Sequence, residues 1–214
     1  MSQTQKRPLG FKPDTPSYRE LRSHERRQEI LEAAARLFRE KGYHAVTIEE
    51  IANALRMTKG SLYHYIHGKE DLLYECHRAA STVYMQEARA ILATDDPPPE
   101  KLRRLLTFHL SRLIDDPTMS SLILRQRDAI PDQLRAQMIA DSNAVDDVYK
   151  QILREGIEAG YFIDASPTFL AYFILGACNE IPTWYRPSGS KSKEEIIQFF
   201  VNMCMRSVLI KQPE

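Results

Sequence analysis

The 214-residue sequence predicts an all-α protein, with a small three-helix N-terminal head and a larger helical body. Three observations carry this expectation. Apolar residues recur at three- and four-residue spacing in nearly every segment beyond about residue 24. The breaks between segments hold helix-start and helix-stop residues: Thr47, Thr58 and Ser166 as N-caps, Gly42 and Gly160 as ends, and prolines at Pro97 to Pro99 and Pro117. No segment alternates apolar and polar residues in the manner of a strand.

The elements follow in order. Residues 1–23 are rich in proline, charge and polar side chains, a composition that predicts a flexible arm. The first helix is expected from about His24 to Lys41, with Ile30, Ala34, Leu37 and Phe38 inward and Gly42 at its end. Thr47 opens a second helix: its hydroxyl suits the N-cap, Glu50 stands three residues on, and Ile48, Ile51, Ala52 and Leu55 form one apolar face. After the short break Leu55-Arg56-Met57, Thr58 caps a third helix, Lys59 to Ile66, in which Leu62 and Ile66 face inward. Lys59, Ser61, Tyr63 and His64 are left on the outer face, and Gly60 adds no side chain there. Two short helices joined by a tight turn, the second with small, basic and aromatic residues exposed, suit entry into a DNA major groove. The helix starts at Thr47 and Thr58 suit phosphate. The same spacing also fits any capped helical hairpin, including a protein-binding adaptor.

The body is expected to hold a long helix from Lys69 to Leu92, then helices over about Glu100–Ile114, Thr118–Arg127, Pro131–Ala159, Pro167–Trp184 and Ser192–Ile210. In the first of the shorter ones, Leu102, Leu105, Leu106, Leu110 and Leu113 point inward. The segment from Pro167 to Trp184 is apolar nearly all round, so it must bury more than one face. Together with the last helix it suits a four-helix interface between two copies, two helices from each. The domain division is therefore arm 1–23, helix-turn-helix head 24–69, and a helical body 70–214 whose last two helices suit dimerisation; a ligand-binding role for that body is left to the resemblance given below.

Charge supports a nucleic-acid partner through its distribution. The whole chain is formally neutral, but residues 1–69 carry 13 Lys/Arg against 8 Asp/Glu and residues 70–214 carry 16 against 21, a head of +5 on a body of −5. Lys6, Arg7, Lys12, Arg19 and Arg22 extend the basic character into the arm. The N-terminus lacks the apolar segment of a signal peptide, and the longest apolar run, Phe169 to Cys178, is too short to span a bilayer. Cys76, Cys178 and Cys204 are odd in number, widely spaced and without metal-ligand pairing, which suggests a reducing cytoplasm. His64, His67, Cys76 and His77 lack a third ligand at a diagnostic spacing, so no metal is expected. No nucleophile elbow, phosphate loop or zinc motif is present, which argues against an enzyme and a cofactor.

The run from Lys59 to Ile66 followed by Lys69-Glu70-Asp71-Leu72-Leu73, with Ile30 to Phe38, Lys41-Gly42-Tyr43 and Thr47-Ile48 upstream, resembles the signature of the TetR/AcrR family of bacterial repressors. The resemblance covers about residues 26–75. It implies a helical homodimer that binds a double-stranded DNA operator and is regulated by a small hydrophobic effector. It also implies base or backbone contacts by Thr58, Lys59, Gly60, Ser61, Tyr63 and His64, and phosphate contacts by Thr47 and Lys69. Two positions depart from the usual pattern: Arg56 stands where the turn usually has Gly, which asks a side chain to hold a strained backbone, and Ile66 replaces Phe.

A second stretch, Asn179 to Gly189 followed by Ser192-Lys193-Glu194-Glu195, resembles a C-terminal signature of a subgroup that includes acyl-CoA-responsive regulators of fatty-acid and steroid degradation. It departs at Glu180 and at Pro182, which is expected to kink the helix end. The resemblance implies an apolar tunnel for an acyl group. Asn179 falls in the motif, Trp184 and Arg186 would lie near the tunnel mouth, and Arg125 and Arg127 are further candidates to pair with CoA phosphates.

Overall fold

The computed structural model describes residues 18–115 and 132–210. Helices α1 (Tyr18–Lys41), α2 (Ile48–Ala54) and α3 (Lys59–Tyr63) form the head. The body comprises α4 (Lys69–Leu92), α5 (Pro98–Asp115), α6 (Asp132–Glu158), α7 (Pro167–Asn179), α8 (Ile181–Trp184) and α9 (Lys193–Val208). The helix expected over Thr118–Arg127 lies outside the described residues, as do Arg125 and Arg127 themselves and most of the N-terminal arm.

Three boundaries differ from expectation. Helix α1 starts at Tyr18 rather than His24, so Tyr18 to Ser23 are helical rather than part of a flexible arm. The last helix breaker before it is Pro16, and the Arg22 guanidinium lies 5.7 Å from the Tyr18 ring across the first turn. The segment expected as one helix to Trp184 is instead two, α7 and α8, with Glu180 between them. Pro182 has no N–H to continue the α-helical ladder, and Thr183 N donates back to Glu180 O at 3.0 Å. Helix α3 ends at Tyr63, and Tyr65 N closes a turn on Leu62 O at 2.9 Å.

The caps are those the residue types favour. Thr47 and Ser192 each make a reciprocal capping box, with Glu50 and Glu195 respectively. Thr58 accepts from Ser61 N at 3.1 Å. Gly42 and Gly160 take the left-handed conformation that ends a helix, with φ of 83° and 74°. Ser166 stands at the N-cap of α7 with Pro167 behind it, but its side chain makes no capping bond.

Two apolar cores result. The head core is built on Ile30, Phe38, Ile51 and Leu62, all fully buried, and draws Leu72, Leu73 and Cys76 from α4 and Met138 from α6. The body core centres on the five predicted leucines of α5, with Tyr149, Ile152 and Leu153 of α6, Ile174 of α7 and Val208 of α9. The α6–α7 connection is clipped to the end of α9 by an isolated antiparallel bridge, Ile163 N to Val208 O at 2.8 Å and Ile210 N to Tyr161 O at 3.1 Å. Gly156 leaves no room for a side chain, because a Cβ there would fall 2.1 Å from the Phe162 ring.

Burial on α7 and α9 is one-sided. Ala171, Ile174, Leu175 and Cys178 face the core, whereas Phe169, Tyr172 and Phe173 are more than half exposed in the single chain. Phe199 and Met203 on α9 are exposed alongside them. The apolar character all round α7 is thus only half satisfied within the single chain.

Candidate nucleic-acid interface and effector body

The turn between α2 and α3 is held from three directions. Met57 N donates to Ala52 O at 2.9 Å, and Arg56 N donates to Asn53 O at 3.1 Å. Arg26 of α1 donates to Leu55 O at 3.2 Å while pairing with Glu29. Arg56 takes φ of 54°, the one non-glycine residue with positive φ among those described. The strain expected from a non-glycine at this position is therefore present, and Arg26 is part of what fixes the turn. No sequence motif pointed to Arg26; its role depends on a contact with a residue 29 positions away.

Helix α3 is anchored by two side chains. Leu62 is fully buried and Ile66 nearly so, the latter filling the apolar place that the departure from Phe kept apolar. Anchoring these two presents Thr58, Lys59, Gly60, Tyr63 and His64 to solvent, with Ser61 half-buried behind them. Tyr63 keeps 46% of its surface exposed, unusual for a tyrosine beside a core. Nothing in the chain requires glycine at 60, where a Cβ would meet only Thr58 Oγ1 at 4.0 Å. Thr58 Oγ1 and Ser61 Oγ lie 2.9 Å apart, which pre-orders the two hydroxyls at the start of the helix.

Charge on this face is already partnered. Lys59 pairs with Glu49, and Lys41 with Glu50 at 2.7 Å. Each pairing raises the lysine and lowers the glutamate relative to ordinary values, through the side-chain hydrogen bond first. Both pairs are exposed, so their exchange for other partners is inexpensive. Lys69, at the start of α4, lies 4.3 Å over the Tyr43 ring and donates to His44 O at 3.3 Å. Partial burial pulls its ammonium below the usual lysine value. Tyr43 itself is pushed up to about 12 by burial, with Glu70 adding to the effect. Thr47 and Lys69 thus stand at the starts of α2 and α4, each close to Glu50.

Head and body meet along α4 and α6. His77 is buried, and its Nε2 lies 3.2 Å from Asp141 Oδ2 and 3.3 Å from Ser81 Oγ. That geometry places the ring proton on Nε2, with Nδ1 buried and unpartnered. Burial lowers the His77 pKa, opposed by Asp141. Asp141 is one turn beyond Met138, which is buried in the head core, so both α6 residues dock on the Cys76-His77 end of α4.

In the body, Asn179 is placed by a hydrogen bond to a residue 70 positions away: His109 Nε2 lies 3.2 Å from Asn179 Oδ1. His109 Nδ1 lies 3.1 Å from the Tyr84 hydroxyl. Burial holds His109 down to about 4, so the ring is neutral, Nε2–H donates to Asn179 and Nδ1 accepts from Tyr84. Trp184 is half exposed and stacks on Phe200 with centroids 6.0 Å apart. The Arg186 guanidinium is exposed and donates to the carbonyls of Thr183 (3.3 Å) and Tyr185 (2.8 Å). Asn179, Trp184 and Arg186 therefore share the α7–α8 corner, without a common contact joining them. Among the described residues there is no grouping of His, Cys, Asp or Glu suited to a metal ion, and no helix is long and apolar enough to cross a membrane.

A head with a strained helix-turn-helix, and a body with an unpaired apolar face, define a helical DNA-binding regulator. Two family models match the chain: one for bacterial regulatory proteins of the tetR family over residues 30–76, and one for the tetracyclin repressor-like C-terminal domain over residues 95–208. The chain belongs to the TetR family of transcriptional regulators, and it is not an enzyme. It is 28% identical to the transcriptional repressor KstR2 of Mycobacterium tuberculosis (strain H37Rv) over 185 residues, 86% of this chain and 92% of that protein. It is 26% identical to the fatty acid metabolism regulator protein of Bacillus subtilis (strain 168) over 161 residues, 73% and 81% of the two chains. Among solved structures, AibR in complex with isovaleryl coenzyme A and operator DNA superposes with a TM-score of 0.74 at 28% identity, over 83% of this chain and 97% of that one.

Proposed function

We propose that this chain is a cytoplasmic, homodimeric repressor that holds an operator through α3 and is released from it by an acyl-CoA. The observation that carries the DNA-binding half is the anchoring of α3. Burial of Leu62 and Ile66 leaves Thr58, Lys59, Gly60, Tyr63 and His64 exposed and Ser61 half-exposed, with Thr47 and Lys69 at the starts of the neighbouring helices α2 and α4. In this reading Tyr63, His64 and Ser61 meet base edges, and the side-chain-free surface at Gly60 lets the groove wall approach. Thr47, Lys59 and Lys69 take phosphates, Lys59 by exchanging Glu49 for the DNA backbone.

The repressor and effector halves draw on the relatives. KstR2 is a repressor, the B. subtilis relative regulates fatty acid metabolism, and AibR binds isovaleryl-CoA. The exposed aromatic face of α7 and α9 supports a second copy of this chain as its partner. A dimer sets two copies of α3 about one DNA turn apart, roughly 34–36 Å. Arg125, Arg127, Asn179, Trp184 and Arg186 are proposed near the effector. The contact of Met138 and Asp141 with α4 gives the body a route to the head, because a shift of α6 pulls on the helix that sets the spacing of the two heads. Release requires that the effector prefer the non-binding arrangement.

The test is DNA binding to the region upstream of the protein's own gene, at two salt concentrations, with and without acyl-CoAs. Phosphate contacts make affinity fall steeply with salt. Lys69→Ala is expected to weaken binding to all sequences, and Tyr63→Ala to erode preference for the operator. Unchanged binding in both variants would remove α3 from the interface. A protein-binding adaptor would show no salt-dependent DNA affinity at all.

A further inference from the structure

The lysine that opens α3 is already occupied by a carboxylate. Lys59 Nζ donates to Glu49 Oε1 across the helix-turn-helix break, ten residues back in the chain. Both side chains are more than half exposed. Glu49 lies in the first turn of α2, just after the Thr47 cap, and Lys59 directly follows the Thr58 cap. The pair therefore joins the starts of the two helices whose N-termini suit phosphate. Tyr63 stands one turn on from Lys59 along the same helix face, and its phenolic oxygen is close enough to act on the ammonium.

Glu50, next to it, is committed to the fold. Its carboxylate accepts from Thr47 N at 2.9 Å, closing the capping box, and pairs with Lys41 at 2.7 Å. The Glu49 carboxylate meets Lys59 and its own backbone N–H. Its contribution to α2 is a negative charge in the first turn, which Glu50 supplies as well. Lys59 is the first cause holding Glu49 below the usual carboxylate range, so Glu49 is ionised at neutral pH. That charge has a consequence on DNA. A lysine that takes a phosphate lets the duplex release a condensed cation, and such release supplies most of the sequence-independent affinity. A lysine that must first leave a carboxylate returns as much as it gains, because the freed carboxylate beside the phosphates recruits a cation of its own. Glu49 and Lys59 together therefore add nothing to this electrostatic attraction, although Lys59 alone would add one phosphate's worth.

Resting on the reading of α3 as the DNA interface with Lys59 on a phosphate, we propose that Glu49 is a built-in competitor for that phosphate. It cancels Lys59 in the free protein, lowers affinity for DNA of every sequence, and leaves binding more dependent on the base contacts of α3. Glu49 is then an affinity-setting residue that touches no base. Its removal strengthens binding, and a gain of that kind cannot arise from a damaged fold.

The experiment measures binding of the full-length protein to two duplexes, its own upstream DNA and a scrambled sequence of equal length, across a salt series centred on about 0.1 M. For Glu49→Gln, the fall of log affinity with log salt is expected to steepen by about 0.9 for each head engaged, on both duplexes. Projected from about 1 M, where this attraction vanishes, affinity at about 0.1 M should be about eightfold higher per head. Glu158→Gln is the control. It changes net charge equally but lies about 30 Å along α6 from Met138 of the head core, beyond the screening length of about 10 Å, and should bind as wild type does. Lys59→Met should weaken binding to both duplexes, because it leaves Glu49 unpaired. Unchanged affinity and slope in Glu49→Gln, with Lys59→Met weakened, overturns the proposal and leaves α3 on the DNA. An equal gain in Glu158→Gln assigns the effect to net charge and overturns it too. Weaker binding by Glu49→Gln also overturns it, and a loss confined to the upstream duplex would make Glu49 a base-reading acceptor. A Lys59→Met variant that binds as wild type does removes Lys59 from phosphate, and the proposal with it. Wild type that binds neither duplex removes the DNA-binding reading itself.

Discussion

Lowering the pH should destabilise this fold through His109, and the effect has a size. His109 is buried among apolar side chains, and loss of hydration holds its pKa down to about 4, against 6.5 for a free histidine. The Asn179 hydrogen bond pulls the other way but does not compensate. The folded state therefore keeps the ring neutral where the unfolded chain has begun to protonate it. Below pH 6.5 the unfolded chain binds more protons, so stability rises with pH through this window. The contribution is complete above about pH 6.5 and is lost as pH falls toward 4. Each tenfold change in proton affinity is worth about 1.4 kcal/mol, so the full loss is roughly 3 kcal/mol and the part lost between pH 6.5 and 5 is about 2. His77 is lowered in the same direction, also by burial, and adds to the slope. The assay is urea unfolding at a fixed protein concentration from pH 7.5 to 5, for wild type and His109→Gln. The amide is uncharged, and its effect on packing is a constant offset, so the informative quantity is how the difference between the two proteins changes with pH. Wild type should lose about 2 kcal/mol more than the variant on going to pH 5, while His77 cancels between them. A difference that stays constant with pH, or one that grows in favour of wild type at low pH, would refute the buried neutral histidine.

Three further outcomes follow from particular residues. Arg56→Gly removes a side chain from a backbone with φ of 54° and should stabilise the head by about 0.5–1 kcal/mol, a rise of a few degrees in melting temperature, with operator affinity unchanged; a drop of about one in the salt slope would instead reveal a phosphate contact by Arg56. Gly156→Ala should lower stability by about 1–3 kcal/mol or more in thermal unfolding, because the new methyl would lie 2.1 Å from the buried Phe162 ring and neither backbone nor ring can withdraw cheaply. Phe173→Glu on the exposed face of α7 should give a folded monomer by sedimentation at concentrations where wild type is a dimer, since a two-fold interface would bury the unpaired charge twice, at several kcal/mol; a variant that remains dimeric would move the interface elsewhere.

The division between what the sequence revealed and what it concealed follows the range of the interactions involved. Thr47 with Glu50, Ser192 with Glu195, and the glycines at 42 and 160 act within one turn of backbone, and the structure holds each in the conformation its residue type favours. Arg56 was legible by another route: it stands where the family it resembles usually has Gly, and its φ of 54° is the left-handed conformation that Gly favours. The internal break at Glu180 was half legible, since Pro182 announced a disturbance without saying that the helix would restart. The apolar character all round α7 announced more apolar surface than one core face takes, and Phe169 and Phe173 are left exposed in the single chain.

The contacts across the fold left no such trace. Arg26 reaches Leu55, His77 reaches Asp141, and His109 reaches Asn179, and each pair is separated by a stretch whose path no local pattern encodes. A histidine within an apolar helix face gives the same signal whether it is a satisfied core residue or part of a recognition site. What distinguishes the two is whether its neighbours have spare hydrogen-bonding capacity, and that is a property of packing.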